Sequence, residues 1–397
     1  MNRWANVAIS LIVGACSADE SPSSTPAPDI ASPDDVSSDG DDVAVGADVA
    51  ATVDVAESGC SPGDVAACLY APSKTWEFST TVVENKIVYE DETGVNRTVN
   101  IALYVPKGAP TPMPVVLLSH GGADGKIDPL KSMEHWAPVF AKAGYLTVAI
   151  AHAGRSDASY DALCAALGTQ ADIQCGIKIH WDRPHDVKHV LDFLEQKASE
   201  ADFKGLYDLD KVAHVGHSAG AGAALMSVEV TRNFVCAQPV NGASELQDCK
   251  VEDLVSLADD RIDVAVGLSP QGPGGEGFMD ESYGAVTAPI LMATGLVDGD
   301  GGEPANRLLL WPALPAGQKY KLFLNSEGAV HTLFEGSTDA CVKHATEAEC
   351  ETMRSWVFST GLAFVKSHLE GDPTATAWLA SDDIVTAGSG VATFERK

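Results

Sequence analysis

The stretch that most restricts what this chain can fold into is VAHVGHSAGAGAALMSV, residues 212–228. It runs from an apolar segment through a Gly-His-Ser-Ala-Gly turn into small and apolar residues. Glycine accepts backbone angles that a Cβ forbids, so Gly216 and Gly220 let the chain reverse sharply from strand to helix with Ser218 at the apex. A serine hydroxyl is a poor nucleophile at neutral pH. It becomes a useful one when lifted out beside a base, with backbone N–H groups facing the oxyanion that forms. The bare G-x-S-x-G pattern is common, and its context is what gives it weight: a strand over Val212–Val215 and a helix over Ala219–Val230. A Gly-Ser turn without chemistry is the competing reading, and the partners of Ser218 decide between them.

The order of elements around this turn sets the fold class. Thr81–Tyr89 and Arg97–Val105 read as antiparallel strands about a turn near Thr93-Gly94, and Val115–Leu118 as a strand buried on both faces. Helix and strand then take turns: helix Ser132–Ala143, strand Tyr145–Ala151, helix Arg183–Lys197, strand Val212–Val215 and helix Ala219–Val230. Further strands are predicted over Arg261–Leu268, Pro289–Thr294 and Tyr320–Leu324, with a closing amphipathic helix over Glu351–Leu369. Such alternation predicts an α/β fold, a mostly parallel central sheet with helices on both faces and antiparallel strands at its N-terminal end. The long interval Arg155–Asp182 is expected near the carboxyl edge of the sheet, where ligands bind.

Composition divides the 397 residues into three parts. Residues 1–16, MNRWANVAISLIVGAC, carry a basic Arg3, a short apolar run and a small-residue site, and read as an export signal too short to span a bilayer. Residues 17–59 are rich in Ser, Pro, Ala, Val and Asp, with eleven acidic residues, no Lys or Arg and no aromatic residue. They cannot bury enough apolar surface to offset the entropy of ordering, and are expected to be a disordered linker. Residues 60–397 hold the folded domain, with 45 acidic against 25 basic residues. That acidity argues against a nucleic-acid partner and repels anionic headgroups; its plainest role is solubility. Apart from Cys16, eight cysteines fall into neighbouring pairs: 60 and 68, 164 and 175, 236 and 249, 341 and 350. An even count in an exported chain predicts disulfides on local loops, with the connectivity left open. No Cys-x-x-Cys pair with histidines at zinc spacing occurs.

In series, VVLLSHGGADG, DRPHDVKHVLDFLEQ, VAHVGHSAGAG, PILMATGLVD and a histidine after the last strand resemble the α/β-hydrolase superfamily over about residues 80–370. Within it the chain is most similar to dienelactone hydrolase-like and platelet-activating-factor acetylhydrolase-like serine esterases. Val13-Gly14-Ala15-Cys16 resembles the lipobox of bacterial lipoproteins, which implies a protein tethered through a lipidated Cys16, with plain secretion as the alternative. The resemblance implies a Ser-Asp-His triad in that chain order and neither cofactor nor metal. Of the three histidines beyond the acid-bearing strand, His344 falls between Cys341 and Cys350 and His368 on the closing helix. His331, in the loop GAVHTLF after the strand KYKLFL, is the expected base. Asp298, directly after PILMATG, is the expected acid, and Asp300 could substitute for it. The expected oxyanion donors are the N–H groups of Ala219 and of Gly122 in His120-Gly121-Gly122. His217 and His152 read as packing or rim residues, and Arg183 and Asp186 as the opening of a helix. Trp181, Trp311 and Phe334 are candidates for an acyl pocket or for plain core.

Two departures bear on substrate. Acetylhydrolases of the platelet-activating-factor type place the acid after the preceding strand, where this chain has Ser269. Dienelactone hydrolases commonly carry cysteine at the position of Ser218. The expectation is thus an exported serine hydrolase that cleaves a small-molecule, lipid or polymeric ester through an acyl-enzyme. A surface lipoprotein using the scaffold only for binding is the alternative from another class. A peptidase is a third, although such enzymes often carry a propeller or large cap for which this chain has no room.

Overall fold

The computed structural model describes residues 60–61, 64–122, 128–166, 178–234, 250–299 and 305–397. The expected export signal and linker, Cys175, Cys236, Cys249 and Asp300 lie outside them. The central feature is a nine-stranded sheet. A hairpin of β1 (Phe78–Glu90) and β2 (Asn96–Pro106) forms one end, and β2 runs antiparallel to its next neighbour, β4 (Leu146–Ala151). The parallel part follows: β4, β3 (Met113–Ser119), β5 (Tyr207–His217), β8 (Val264–Leu268), β9 (Ile290–Gly295) and β10 (Lys319–Leu324). Antiparallel β11 (Ala392–Arg396) closes the far edge. A separate two-stranded ribbon joins β6 (Arg232–Asn233) to β7 (Leu254–Val255).

The continuous apolar runs become strands buried on both faces, because successive side chains point to opposite sides. In β3, Val116 and Leu118 enter one core while Val115 and Leu117 enter the other. The first core includes side chains of α2 (Ala137–Lys142), α8 (Glu347–Val365), α9 (Pro373–Ala380) and α10 (Asp383–Gly388), among them Phe140, Phe364, Leu379 and Ile384. The second lies under α4 (Lys178–Ala198), α5 (Ala219–Met226) and α6 (Ala305–Ala313), with Val190, Leu225 and Leu310. Among the described residues the remaining α-helices are short: α1 (Val65–Cys68), α3 (Asp157–Ala166) and α7 (His331–Glu335). Disulfides join Cys60 to Cys68 and Cys341 to Cys350.

Several boundaries differ from the sequence reading. The helix predicted over 132–143 begins only at Ala137, because Met133 takes a positive φ and Pro138 belongs in a first turn. The helix predicted from Glu351 starts at Glu347, fixed by a reciprocal cap in which Thr346 and Glu349 each satisfy the other's backbone N–H. The strand predicted from Arg261 starts at Val264, since Arg261 is drawn into a turn by Asp259, Asp192 and Glu195. The interval Arg155–Asp182 contains α3, and its ends are held together by a bidentate bond from Arg155 to Asp182.

Candidate active site

Ser218 stands between the end of β5 and the first residue of α5, with φ +53° and ψ −116°. A non-glycine residue in that region carries strain of about 1–3 kcal/mol, held by the surrounding structure. The Ser218 N–H donates to Leu268 O at 2.8 Å, tying the turn to the end of β8. Both flanking glycines are sterically required. A Cβ on Gly216 would lie 2.0 Å from Gly220 O, and one on Gly220 would lie 2.1 Å from Ser119 O. The turn is thus wedged against the end of β3.

Asp298 and His331 come together beyond the ends of β9 and β10, the second and third strands on from β5. Asp298 follows β9 and is fully buried; its Oδ1 lies 2.6 Å from His331 Nδ1, which donates to it. The Thr294 hydroxyl donates to Oδ2 at 2.8 Å. A carboxylate so placed fixes the tautomer of the imidazole and leaves Nε2 as the proton acceptor. Gly295 makes this approach possible, because a Cβ there would stand 2.5 Å from Ala329 in the loop that carries the histidine. A bridge between Val297 and Val330 brings those loops into register. The His331 side chain is 36% exposed. Its Nδ1 is committed to Asp298, Arg307 Nη2 lies 3.4 Å from that nitrogen, and among the described residues the imidazole makes no hydrogen bond to Ser218. His217, the residue before Ser218, donates from Nε2 to the His331 backbone O at 3.0 Å, and its ring centroid lies 4.5 Å from that of His331.

Sequence reasoning missed Arg307. Its Nε donates to Asp298 O at 2.6 Å and lies 3.3 Å from Oδ1, its Nη1 reaches Ser269 O, and its Nη2 lies 3.4 Å from His331 Nδ1. Arg307 opens the apolar helix ANRLLLWPA as its one charged residue, a pattern that marks the position as unusual. Ser269, where the acetylhydrolase pattern would have an acid, is fully buried with φ +55°.

The loop His120-Gly121-Gly122 abuts the turn: a Cβ on Gly121 would lie 3.2 Å from Ser218 Cβ and 2.7 Å from His217 Nδ1. Arg183, expected at the opening of a helix, lies inside α4, which begins at Lys178, and hydrogen-bonds His120 O and, at 2.6 Å, Gly122 O. His120 Nδ1 donates to Gly121 O at 2.7 Å. Beneath the loop lies a buried chain of polar groups. Asp186 accepts from His152 Nδ1 at 3.0 Å, and His152 Nε2 lies 2.9 Å from Ser119 Oγ. Ser119 Oγ is also 2.8 Å from His214 Nε2, and His214 Nδ1 is 2.9 Å from Ser227 Oγ. Burial drives His152 down to about 4 and His214 down to about 3, so both are neutral at pH 7. Burial alone would raise Asp186, but the Arg97 guanidinium and the His152 bond overcome it and hold the carboxyl at about 2.

Of the three aromatic candidates, Phe334 is fully buried core and Trp311 packs beneath Lys397 and Lys321 toward the amino end of β10. Trp181 stands on α4 near Arg183, edge-on to Phe234 at 4.9 Å. No protein-family model matches the chain, and no curated protein sequence matches it.

Proposed function

We propose that this chain is an exported serine hydrolase of carboxylic esters on an α/β-hydrolase scaffold. The observation that carries the reading is the 2.6 Å bond between buried Asp298 and His331, made beside a strained serine turn whose glycines have no room for a side chain. In the proposed reaction His331 takes the proton of Ser218 as its oxygen attacks the acyl carbon. The N–H groups of Gly122 and Ala219 hold the oxyanion, and its collapse breaks the bond to the alcohol oxygen, which takes its proton from the imidazolium and leaves as the alcohol, giving an acyl-enzyme. Water activated by the same imidazole then releases the acid. Asp298 steadies the imidazolium without taking its proton. The V-G-A-C sequence ending at Cys16 supports a lipid tether, with residues 17–59 as the leash.

That Ser218 is not among the hydrogen-bonding partners of His331 favours one other reading, a scaffold kept for binding alone. Catalytic hydrogen bonds are often long before substrate enters, so the two differ in reactivity rather than in resting geometry. Reaction of the purified protein with a fluorophosphonate probe separates them. Hydrolase chemistry requires labelling at Ser218 and turnover of short aryl esters, both abolished in Ser218→Ala; an inert wild-type serine leaves the binding scaffold.

A further inference from the structure

We infer that Arg183 is the positioning residue of the oxyanion loop, a strap that holds the peptide groups of residues 120–122 in the orientation the reaction needs. The inference rests on the hydrolase reading and deepens it.

The loop poses a physical problem. Two consecutive glycines, the second at φ +82°, give it the conformational freedom to approach Ser218. The same freedom lets its peptide planes rotate, and an oxyanion donor works only when its direction is fixed beforehand. No side chain on Gly121 or Gly122 can supply that restraint. In a trans peptide the C=O and the following N–H point opposite ways, so tethering a carbonyl fixes the N–H that shares its plane. Arg183 tethers His120 O, which fixes the plane of the Gly121 N–H. His120 Nδ1 tethers Gly121 O, which fixes the plane of the Gly122 N–H. The second arm of Arg183, at Gly122 O, closes the loop at its far end. The planar fork of a guanidinium can hold two carbonyls at once with its geometry preset, which a lysine cannot do.

A strap must itself be anchored, and this one is. Arg183 is 2% exposed, and its neighbours on α4, Asp182 and Asp186, are both gripped by Arg97 from β2, at 3.1 and 3.2 Å. Arg155 takes Asp182 as well and pairs with Asp91 at 2.5 Å in the β1–β2 turn. The start of α4 is therefore fixed to the sheet by five charged groups in addition to its apolar face.

The test uses the full chain and short aryl esters, with Arg183→Ala and Arg183→Lys. Arg183→Ala should lose about 10²-fold in kcat, the order that a misplacement of about 1 Å costs, with KM within about threefold of wild type. Guanidinium ion at non-denaturing concentration should restore much of that kcat by filling the vacated space. Arg183→Lys should keep the wild-type melting temperature, lose kcat and gain nothing from guanidinium. Wild-type kcat in either variant overturns the inference. So does a loss in Arg183→Ala that guanidinium does not repair while the melting temperature falls, because that is the signature of a merely structural arginine. If Arg183→Ala does not fold, the Arg183→Lys kcat decides alone. Wild-type protein that neither turns over esters nor labels at Ser218 fails at the hydrolase reading and takes the strap with it; an active wild type beside unaffected variants removes the strap only.

Discussion

At the scale of single residues, the site is built where side chains are either forbidden or fully committed. Gly220 illustrates the first case. Its missing Cβ leaves Ser119 O in contact with the first turn of α5, so Gly220→Ala must push the serine turn away from β3. Overpacking of this kind costs about 1–3 kcal/mol, and the displacement falls on Ser218 itself. The variant should melt several degrees lower and lose ester turnover more steeply than stability; normal turnover by Gly220→Ala would show that the turn does not need its close approach to β3. Asp298 illustrates the second case, with Thr294, Arg307 and His331 all meeting it. Asp298→Asn keeps the shape but offers an amide where His331 needs an acceptor, so kcat should fall by about 10³–10⁴ with little change in KM. A loss confined to KM would remove Asp298 from the chemistry.

At the scale of elements, β3, β4, β5 and α4 are bound by polar groups that titrate. The chain Asp186–His152–Ser119–His214–Ser227 crosses all four, and its two histidines are neutral in the folded protein because burial disfavours the imidazolium. Unfolding releases them to the ordinary pKa of about 6.5, so below that value the unfolded chain binds more protons than the folded one. Their contribution is therefore complete above pH 6.5 and is lost as pH falls toward 4 and then 3. At about 1.4 kcal/mol per pKa unit, moving from pH 7.5 to pH 5 should cost about 2 kcal/mol for each histidine. Asp186 and Asp91, both held at about 2, add a further loss only below the usual carboxyl range, whereas Asp182, pushed up by burial, works in the opposite sense. Urea midpoints at pH 7.5 and pH 5 measure the effect; burial lowers His368 to about 4 as well, so His214→Asn should show an effect smaller than that of the wild type by about 2 kcal/mol, whatever its own stability. Equal wild-type midpoints at the two pH values would contradict neutral buried imidazoles. Nothing in the sequence displayed this chain. Its members are scattered over 109 positions, from Ser119 to Ser227, and a lone histidine in an apolar strand looks the same whether paired or not. Alternation and turn chemistry, by contrast, are local. The hairpin, the parallel strands and the helices α2, α4, α5 and α8 could be read from the sequence for that reason, whereas α6, α9 and α10 were not. Two of the differing boundaries carry local signals, Pro138 near the start of α2 and Thr346-x-x-Glu349 before α8, and the alternating ATFER marks β11, a strand not predicted.

At the scale of the whole molecule, the distribution of charge makes the proposed tether testable. The folded part carries a surplus of acidic over basic residues, 45 against 25, and the linker adds eleven acidic residues with no basic one. Such a chain gains nothing from an anionic bilayer and is repelled by it within a Debye length. Among the described residues no helix is long and apolar enough to cross a membrane. The proposed attachment rests on the V-G-A-C sequence ending at Cys16. Covalent lipid adds about 0.8 kcal/mol of affinity per buried methylene, and more than one chain is needed for a lasting hold. The proposal accordingly requires Cys16 to be acylated. Wild-type protein expressed with its own N-terminus in a bacterial host should sediment with membranes at low and high salt alike, because a lipid anchor does not depend on charge. Cys16→Ser should shift it to the soluble fraction with the same ester turnover per labelled Ser218. Wild-type protein found wholly in the soluble fraction would reduce the N-terminal sequence to a secretion signal, and a Cys16→Ser variant that still sediments would place the attachment elsewhere on the molecule.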